Sequence, residues 1–323
     1  MTAPLLEVSG LETQFATRNG VLKAVNGVSF AVRRGEILGL VGESGSGKSV
    51  TGFSLIGLID PPGRIAAGSV KLEGRELVGL APQELRAIRG RRISMVFQDP
   101  STTLNPVLTV GVQMRLALEA HARLSRREAQ ARAIAALERV RIPDPARRLE
   151  AYPHQFSGGM RQRIAIAIAL LHHPDLVIAD EPTTALDVSI QAQILTEMKA
   201  LARERGTALI WISHDLATIS SIADRIAVMY AGRIVESGPT AAVLRDPRHP
   251  YTRGLLDSLP AMAPAGTELA AIPGTTPALD HLPPGCPFAP RCFAAQPRCV
   301  EDPPEVIAGA RGYRCHFPLG AAA

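Results

Sequence analysis

Cysteine is missing from the first 285 residues of this 323-residue chain, and all four cysteines fall between Cys286 and Cys315. Aromatic residues make up only 4% of the sequence, and the longest apolar run, Ile164 to Leu171, has eight residues. Eight residues cannot cross a bilayer, which takes about 20. The opening "MTAPLLEVSGLE" has neither a basic n-region nor an apolar h-region, so no secretory signal is expected. The chain is therefore expected to be cytosolic, or held at a membrane only through a partner. The formal charge is +5, with arginines grouped at Arg86, Arg89, Arg91 and Arg92, at Arg126 and Arg127, and at Arg147 and Arg148. Few aromatics interleave with them, which argues for a solvated face over a nucleic-acid groove. What is present in quantity is apolar: 46% hydrophobic against 20% charged, a globular composition. The length suits one large domain with an appendage, or two domains.

Up to about residue 240 the pattern alternates strand and helix, which predicts an α/β fold on a parallel sheet. "EILGLVG" reads as a short apolar strand and "SVTGFSLIGLI" as the helix after it. "RRISMVFQ", "LVIAD" and "ALIWIS" read as further strands, and "RIAVMYAGRIVESG" as a hairpin turning at Ala231-Gly232. "SRREAQARAIAALERV" opens with Ser125 and Glu128 in capping-box spacing and continues with helical periodicity. The stretch from about 105 to 170 carries no strand signal and reads as a helical insertion. Fifteen of the 26 prolines lie between Pro239 and Pro318, so the pattern weakens into a proline-rich tail.

"GESGSGKS", Gly42 to Ser49, matches G-x-x-x-x-G-K-[ST] between a predicted strand and a predicted helix. Glycines at Gly42, Gly45 and Gly47 let successive N–H groups turn toward one point, and the following helix N-terminus adds partial positive charge there. Lys48 can reach the β- and γ-phosphates of ATP, and the Ser49 hydroxyl can ligate Mg²⁺. "LVIADEPTTALD" ends an apolar strand in Asp180 and Glu181, where ligands of open parallel sheets bind. Asp180 would face Mg²⁺ and Glu181 an attacking water as general base. His214 ends "ALIWIS", where it can reach a γ-phosphate. In "FSGGMRQR", Ser157 can cap the following helix, and Gly158 and Gly159 allow close backbone approach to an anion.

Taken in order, these motifs, with Gln98 and "ALD", resemble the nucleotide-binding subunit of ATP-binding cassette (ABC) transporters over about residues 5–240. The resemblance implies an ABC-type P-loop core, that is, a RecA-like parallel sheet with a small antiparallel β subdomain, plus a helical subdomain. A C-terminal cysteine-rich extension would follow, dividing the chain at 1–245 and 246–323. It implies that two cassettes pack head to tail, so that Ser157, Gly158 and Gly159 touch ATP held by the other, with Glu43, Ser44 and Ser46 in the phosphate loop. Asp187 would be the D-loop residue at that interface and Gln98 the Q-loop residue sensing Mg²⁺ and the membrane partner. Phe15 falls where the family stacks an aromatic on adenine. The segments "FQDPSTTLNP", "YPHQFSGGMRQR", "ADEPTTALDVSIQAQIL" and "HPYTRGLLDSLP" look like the oligopeptide/dipeptide importer branch, whose pattern nickel importers share. The implied partners are a second ATPase subunit (a heterodimer, with a homodimer as alternative), two membrane permease subunits and, indirectly, an extracytoplasmic binding protein, at the cytoplasmic face of the plasma membrane. A soluble ABC ATPase acting on DNA or ribosomes typically has two cassettes or a long coiled-coil insertion, and neither is found in this sequence.

The cysteines are spaced C-x₅-C-x₆-C-x₁₅-C at Cys286, Cys292, Cys299 and Cys315. A disulfide framework does not suit a reducing compartment. Glycines and prolines around the cysteines describe a loop that needs an organising centre. Four thiolates suit a structural zinc, but its close C-x₂₋₄-C pairs are absent. A [4Fe–4S] cluster accepts wider spacing, and the importer resemblance implies the same cluster. Arg291, Arg298 and Arg314 each precede a cysteine, and turned inward they would favour the thiolates.

Overall fold

The computed structural model describes residues 3–18, 20–183, 188–260 and 270–320. The chain forms two compact units. The first comprises Met1–Arg33, Ile37–Gly79 and Trp211–Ala323, and the second Arg34–Glu36 and Leu80–Ile210. The strands are β1 (Leu6–Thr17), β2 (Gly20–Val32), β3 (Ile37–Val41), β4 (Gly63–Leu72), β5 (Arg75–Glu76), β6 (Ile93–Val96), β7 (Leu176–Asp180), β8 (Ala208–Ser213), β9 (Arg225–Tyr230), β10 (Arg233–Pro239), β11 (Val306–Ala308) and β12 (Arg311–Tyr313).

In the first unit, β2-β1-β4-β5 form an antiparallel sheet. Its long strands bury Leu6, Val8 and Leu11, then Val25, Val28 and Val32, and Val70 and Leu72, the one-sided burial of a sheet with a single core face. A second sheet of this unit runs β11-β12-β10-β9-β3. Only β3–β9 is parallel in it, and all five residues of β3 are buried. The predicted β9–β10 hairpin is present, with Tyr230 opposite Arg233. Ala231 and Gly232 both have positive φ, 48° and 79°, as a two-residue type I′ turn requires.

The helix after the phosphate loop is shorter than the sequence predicts. It spans Lys48–Leu55 and stops in a Schellman arrangement at Gly57, whose φ is 63°. The Leu58 N–H donates to the Phe53 carbonyl at 2.9 Å and the Gly57 N–H to the Ser54 carbonyl at 3.1 Å. A left-handed glycine closes the last turn, and the apolar pattern beyond it cannot continue the helix.

In the second unit β6 and β7 pair in parallel. Between residues 105 and 170 no described residue lies in a strand. The segment forms helices Val110–Glu119, Arg126–Arg139, Pro145–Arg148 and Gly158–Ala169. The predicted capping box is made: Ser125 Oγ accepts from the Glu128 N–H at 3.3 Å, and Glu128 accepts from the Ser125 N–H at 2.9 Å. Burial at i, i+4, i+8 (Val110, Met114, Leu118; Ala129, Ala133, Leu137) gives each of the first two helices one packed face. Helix Arg126–Arg139 packs against both Val110–Glu119 and Gly158–Ala169. The chain crosses between the two units within β8, at Ile210 and Trp211.

The proline-rich tail has more regular structure than the sequence led us to expect. It contributes helices Thr240–Arg245 and Pro250–Asp257 and the strands β11 and β12, and β12 pairs with β10. Three-residue strands are too short to show a period, which is why they escape sequence reading. Their anchor is Glu236, whose side chain is 0% exposed. Its carboxylate accepts from the N–H groups of Arg248 and His249 at 2.8 and 2.9 Å and from Arg311 at 2.8 Å. Removing one partner of a buried, multiply bonded ion pair leaves the other groups unsatisfied. Glu236→Ala is therefore expected to cost about 3 kcal/mol of stability, read by urea unfolding on the fluorescence of the single tryptophan, Trp211, which is fully buried. A loss near zero would show that the tail does not depend on this carboxylate.

Candidate functional site

The phosphate loop leaves β3 at Val41 and enters its helix through Gly47, which has φ 99°. Two of its glycines have no room for a side chain. A Cβ on Gly42 would lie 2.2 Å from the Met229 carbonyl oxygen, and one on Gly47 2.3 Å from the Ala24 carbonyl oxygen. The loop is stitched to the hairpin turn, since the Gly232 N–H donates to the Ser46 carbonyl at 2.9 Å, and the Gly232 carbonyl accepts from the Asn26 N–H at 2.8 Å. Lys48 is 5% exposed. Its ammonium donates to the carbonyls of Gly42 at 2.8 Å and Glu43 at 2.9 Å, which places it over the loop. Ser44 and Gly45 are exposed at the tip, and Ser49 is half-buried in the first helical turn.

In the second unit, Asp180 ends β7 and is 2% exposed. Glu181 follows with φ 44°, a left-handed conformation that costs a non-glycine residue of order 1 kcal/mol or more. Strain of that kind gathers at functional sites. Gln98, just past β6, donates through Nε2 to Glu181 Oε2 at 3.2 Å. Ser157 caps helix Gly158–Ala169 as the sequence predicts, its Oγ accepting from the Met160 N–H at 3.3 Å. Nothing lies within 4 Å of where a Cβ on Gly158 would sit, so this helix start offers its N–H groups to an incoming anion.

The candidate residues are thus shared out. The phosphate loop, Phe15 and His214 belong to the first unit, and Gln98, Ser157 to Gly159, Asp180 and Glu181 to the second. His214 is exposed in the bend between β8 and helix Leu216–Ile222. Phe15 is half-buried on β1 opposite Gly63, where its ring would meet any side chain. Asp187 lies outside the described residues.

Cys286, Cys292, Cys299 and Cys315 line a single cavity together with His249 and Phe288. Among the described residues no three His, Cys, Asp or Glu side chains are grouped to hold a single metal ion. Burial raises the thiol pKa values of Cys286 and Cys292 and lifts that of Cys315 to about 11, and in each case the charge of neighbouring cysteines adds to the rise. The three preceding arginines do not supply the expected charge. Arg298 pairs with Glu301, Arg314 with Glu305, and Arg291 with Glu43, so each guanidinium is engaged by a carboxylate. His249 is 1% exposed. Its Nδ1 accepts from the Tyr251 N–H at 3.1 Å, so its other ring nitrogen carries the proton. That Nε2 is buried with no hydrogen-bond partner. Burial lowers the pKa of His249 to about 3, so the ring is neutral.

Sequence reading missed the groups around Glu43. The Tyr251 hydroxyl accepts from the Glu43 N–H at 2.9 Å, and Thr276 Oγ1 donates to its carboxylate at 3.0 Å. Arg291 makes a two-pronged pair with the same carboxylate. These partners lie more than 200 residues from Glu43, beyond any local pattern.

The glycine geometry sets an expectation. Gly45 has φ 78° but open space around it, so Gly45→Ala incurs backbone strain alone, about 1 kcal/mol or a fivefold loss of nucleotide affinity. Gly42→Ala and Gly47→Ala also push backbone against backbone and are expected to lose at least about thirtyfold. Titration with a non-hydrolysable ATP analogue measures this, and equal losses at Gly45 and Gly47 would refute the steric account.

A family profile described as ABC transporter matches residues 25–184, and one described as the C-terminal region of oligopeptide/dipeptide transporters matches residues 235–299. The chain is 52% identical over 315 residues to a peptide import ATP-binding protein of Brucella abortus, covering 97% of this chain and 95% of that one. It is 49% identical over 316 residues to the oligopeptide transport ATP-binding protein of Salmonella typhimurium, covering 98% and 94%. It is 50% identical over 289 residues to the dipeptide transport ATP-binding protein of Bacillus subtilis, covering 89% and 86%. Among solved structures it is similar to the dimeric ATP-binding cassette MJ0796 bound to ADP and phosphate, with TM-score 0.66, 27% identity, and 73% and 98% of the two chains covered. It is also similar to a cassette of a Clostridium perfringens ABC transporter complex, with TM-score 0.63, 25% identity, and coverage of 76% and 92%. With these likenesses the chain belongs to the ABC transporter family, as an ATP-binding and ATP-hydrolysing subunit.

Proposed function

We propose that this chain drives the import of di- and oligopeptides, coupling ATP hydrolysis to movement of separate membrane permease subunits. The observation that carries this reading is the tail: the match over residues 235–299 to the oligopeptide/dipeptide transporter C-terminal region, on a chain whose relatives are named for peptide import. Among the described residues no helix is long and apolar enough to cross a membrane, so partners supply the channel, and the chain docks on their cytoplasmic face. Uptake of labelled peptides by cells with and without an intact Lys48 tests the cargo. Uptake of nickel without peptides would assign the chain to the alternative solute.

In this reading the loop amides and Lys48 bind the phosphates, and Ser49, Asp180 and Gln98 would hold Mg²⁺, which would screen phosphate charge when bound. Glu181 takes the proton of the attacking water, oriented by the Gln98 amide, and His214 contacts the γ-phosphate. Phe15 stacks on adenine. Ser157, Gly158, Gly159 and Asp187 complete the site of a second cassette, a different ATPase subunit in preference to a second copy. Glu181→Gln is expected to keep ATP affinity and lose about 10²- to 10⁴-fold in turnover, measured in the assembled complex. Turnover at the wild-type rate would remove Glu181 from this role.

The cysteine cavity fits a [4Fe–4S] cluster in its donor chemistry. Four thiols line it, and the orphaned Nε2–H of His249, which lines it too, is a ready donor to sulfur. A cubane accepts thiolates at four separate irons, whereas a single zinc, the alternative, needs all four at one point. The cluster's part is structural, pinning the tail. Anaerobic purification is expected to give a brown protein with about four irons per chain, lost in Cys292→Ser. One tightly held zinc with neither iron nor sulfide would overturn the assignment.

A further inference from the structure

Glu43 is the second residue of the phosphate loop, a loop that on binding a nucleotide receives several negative charges. That is a poor place for an anion unless the anion is already committed. Here it is committed to Arg291. Nη1 of Arg291 reaches Glu43 Oε2 at 2.6 Å and Nη2 reaches Oε1 at 2.9 Å, a fork-to-fork pair. The guanidinium is itself held from behind. Nε donates to the Pro273 carbonyl at 2.9 Å and Nη1 to the Tyr230 hydroxyl at 3.3 Å, with the guanidinium over the Tyr230 ring at 5.9 Å from its centroid. The Arg291 side chain is 5% exposed and Glu43's 28%, so water screens the pair poorly. Hydrogen bonding to Arg291 accordingly lowers the Glu43 pKa, and the carboxylate stays charged and paired throughout the neutral range. The same loop residue is gripped through its backbone by Tyr251, whose ring packs with Tyr230 and Phe288. Arg291 immediately precedes Cys292, and Phe288 lines the cysteine cavity.

We propose that Arg291 is a positioning residue for the phosphate loop. Reaching in from the cysteine-bearing tail, it neutralises and fixes Glu43, so that affinity for the nucleotide's phosphates depends on the tail. The geometry stands whatever occupies the cysteine cavity. Three consequences separate this role from simple support of the fold. Without its partner, Glu43 is left as a bare anion beside the phosphates, so Arg291→Met weakens nucleotide binding by charge repulsion. That loss shrinks as salt rises, because a more exposed charge is screened. Removing the second charge as well, in Arg291→Met/Glu43→Gln, gives back part of the affinity, so the two substitutions are not additive.

The test uses the full chain. The Kd for a non-hydrolysable ATP analogue is measured at low and high salt, alongside the thermal midpoint and, in the assembled complex, KM and kcat for ATP. Arg291→Met is expected to raise Kd and KM about tenfold with a much smaller change in kcat, and the double variant to bind at least about threefold more tightly than Arg291→Met. Arg291→Lys keeps the charge but not the fork and should fall between wild type and Arg291→Met. If Arg291→Met does not fold, the comparison of Arg291→Lys with the double variant carries the same test. A lowered thermal midpoint with unchanged Kd and KM would overturn the proposal. So would a double variant as weak as the sum of the two single losses, or losses indifferent to salt.

Discussion

An eight-residue turn cannot by itself keep several backbone N–H groups aimed at one point, yet phosphate binding at Gly42–Ser49 requires it. Fixing each residue costs about 1–2 kcal/mol of conformational entropy, and glycines raise that cost because they lose the most freedom. The loop's order therefore has to come from outside it. β3 delivers it from a fully buried strand. The β9–β10 turn bonds to the Ser46 carbonyl and, through Gly232, to β2. Gly42 and Gly47 lie so close to the backbone of Met229 and Ala24 that no side chain fits. Tyr251 and Arg291 hold the Glu43 end. Each brace comes from a different stretch of the first unit, so the order of this loop is supplied by tertiary contacts.

What could be read from the sequence follows from the range of the interactions. Where neighbours in sequence settle the structure, the pattern is legible, except at the helix after the phosphate loop, which a left-handed Gly57 stops early. The Ser125–Glu128 capping box, the Ala231–Gly232 turn, the buried strands β3, β7 and β8 and the Ser157 cap are all local, each decided within about four residues. Where distant groups settle it, the reading ran out. Nothing near Pro290 announces that Arg291 will cross to Glu43 and not stay with Cys292. Sequence proximity places that arginine beside a thiolate, but a carboxylate able to take a two-pronged bond is the stronger partner, and burial raises the pKa of the Cys292 thiol. The strands β11 and β12 escaped for a related reason. Three residues carry no period, and their order derives from Glu236 and β10.

The conformations that break local rules are informative in turn. Glu181 sits left-handed directly after the fully extended β7, and its carboxylate is met by the Gln98 amide. A regular continuation of β7 would be easier for the backbone, so the surrounding structure holds the strain in place. A residue so held presents its carboxylate in one orientation, which suits a group that must accept a proton from a positioned water. The sequence "ADEP" conveys the residue types but not this backbone, because no propensity favours left-handed glutamate.

The tail and the loop are bound to each other by the same reasoning that binds an ion pair. A nearly fully buried arginine left without its carboxylate costs several kcal/mol, so the tail can adopt this path only with Glu43 in place. The dependence runs both ways, because linkage is reciprocal: whatever orders the tail favours the loop geometry that receives phosphate, and a nucleotide seated in that geometry favours the ordered tail. Residues 291 and 292 mark where the two meet. One side chain points to the phosphate loop and the next lines the cysteine cavity. A single peptide bond separates the two contacts. On the proposal above, whatever holds the cysteine-bearing segment in place also aims the arginine that precedes Cys292.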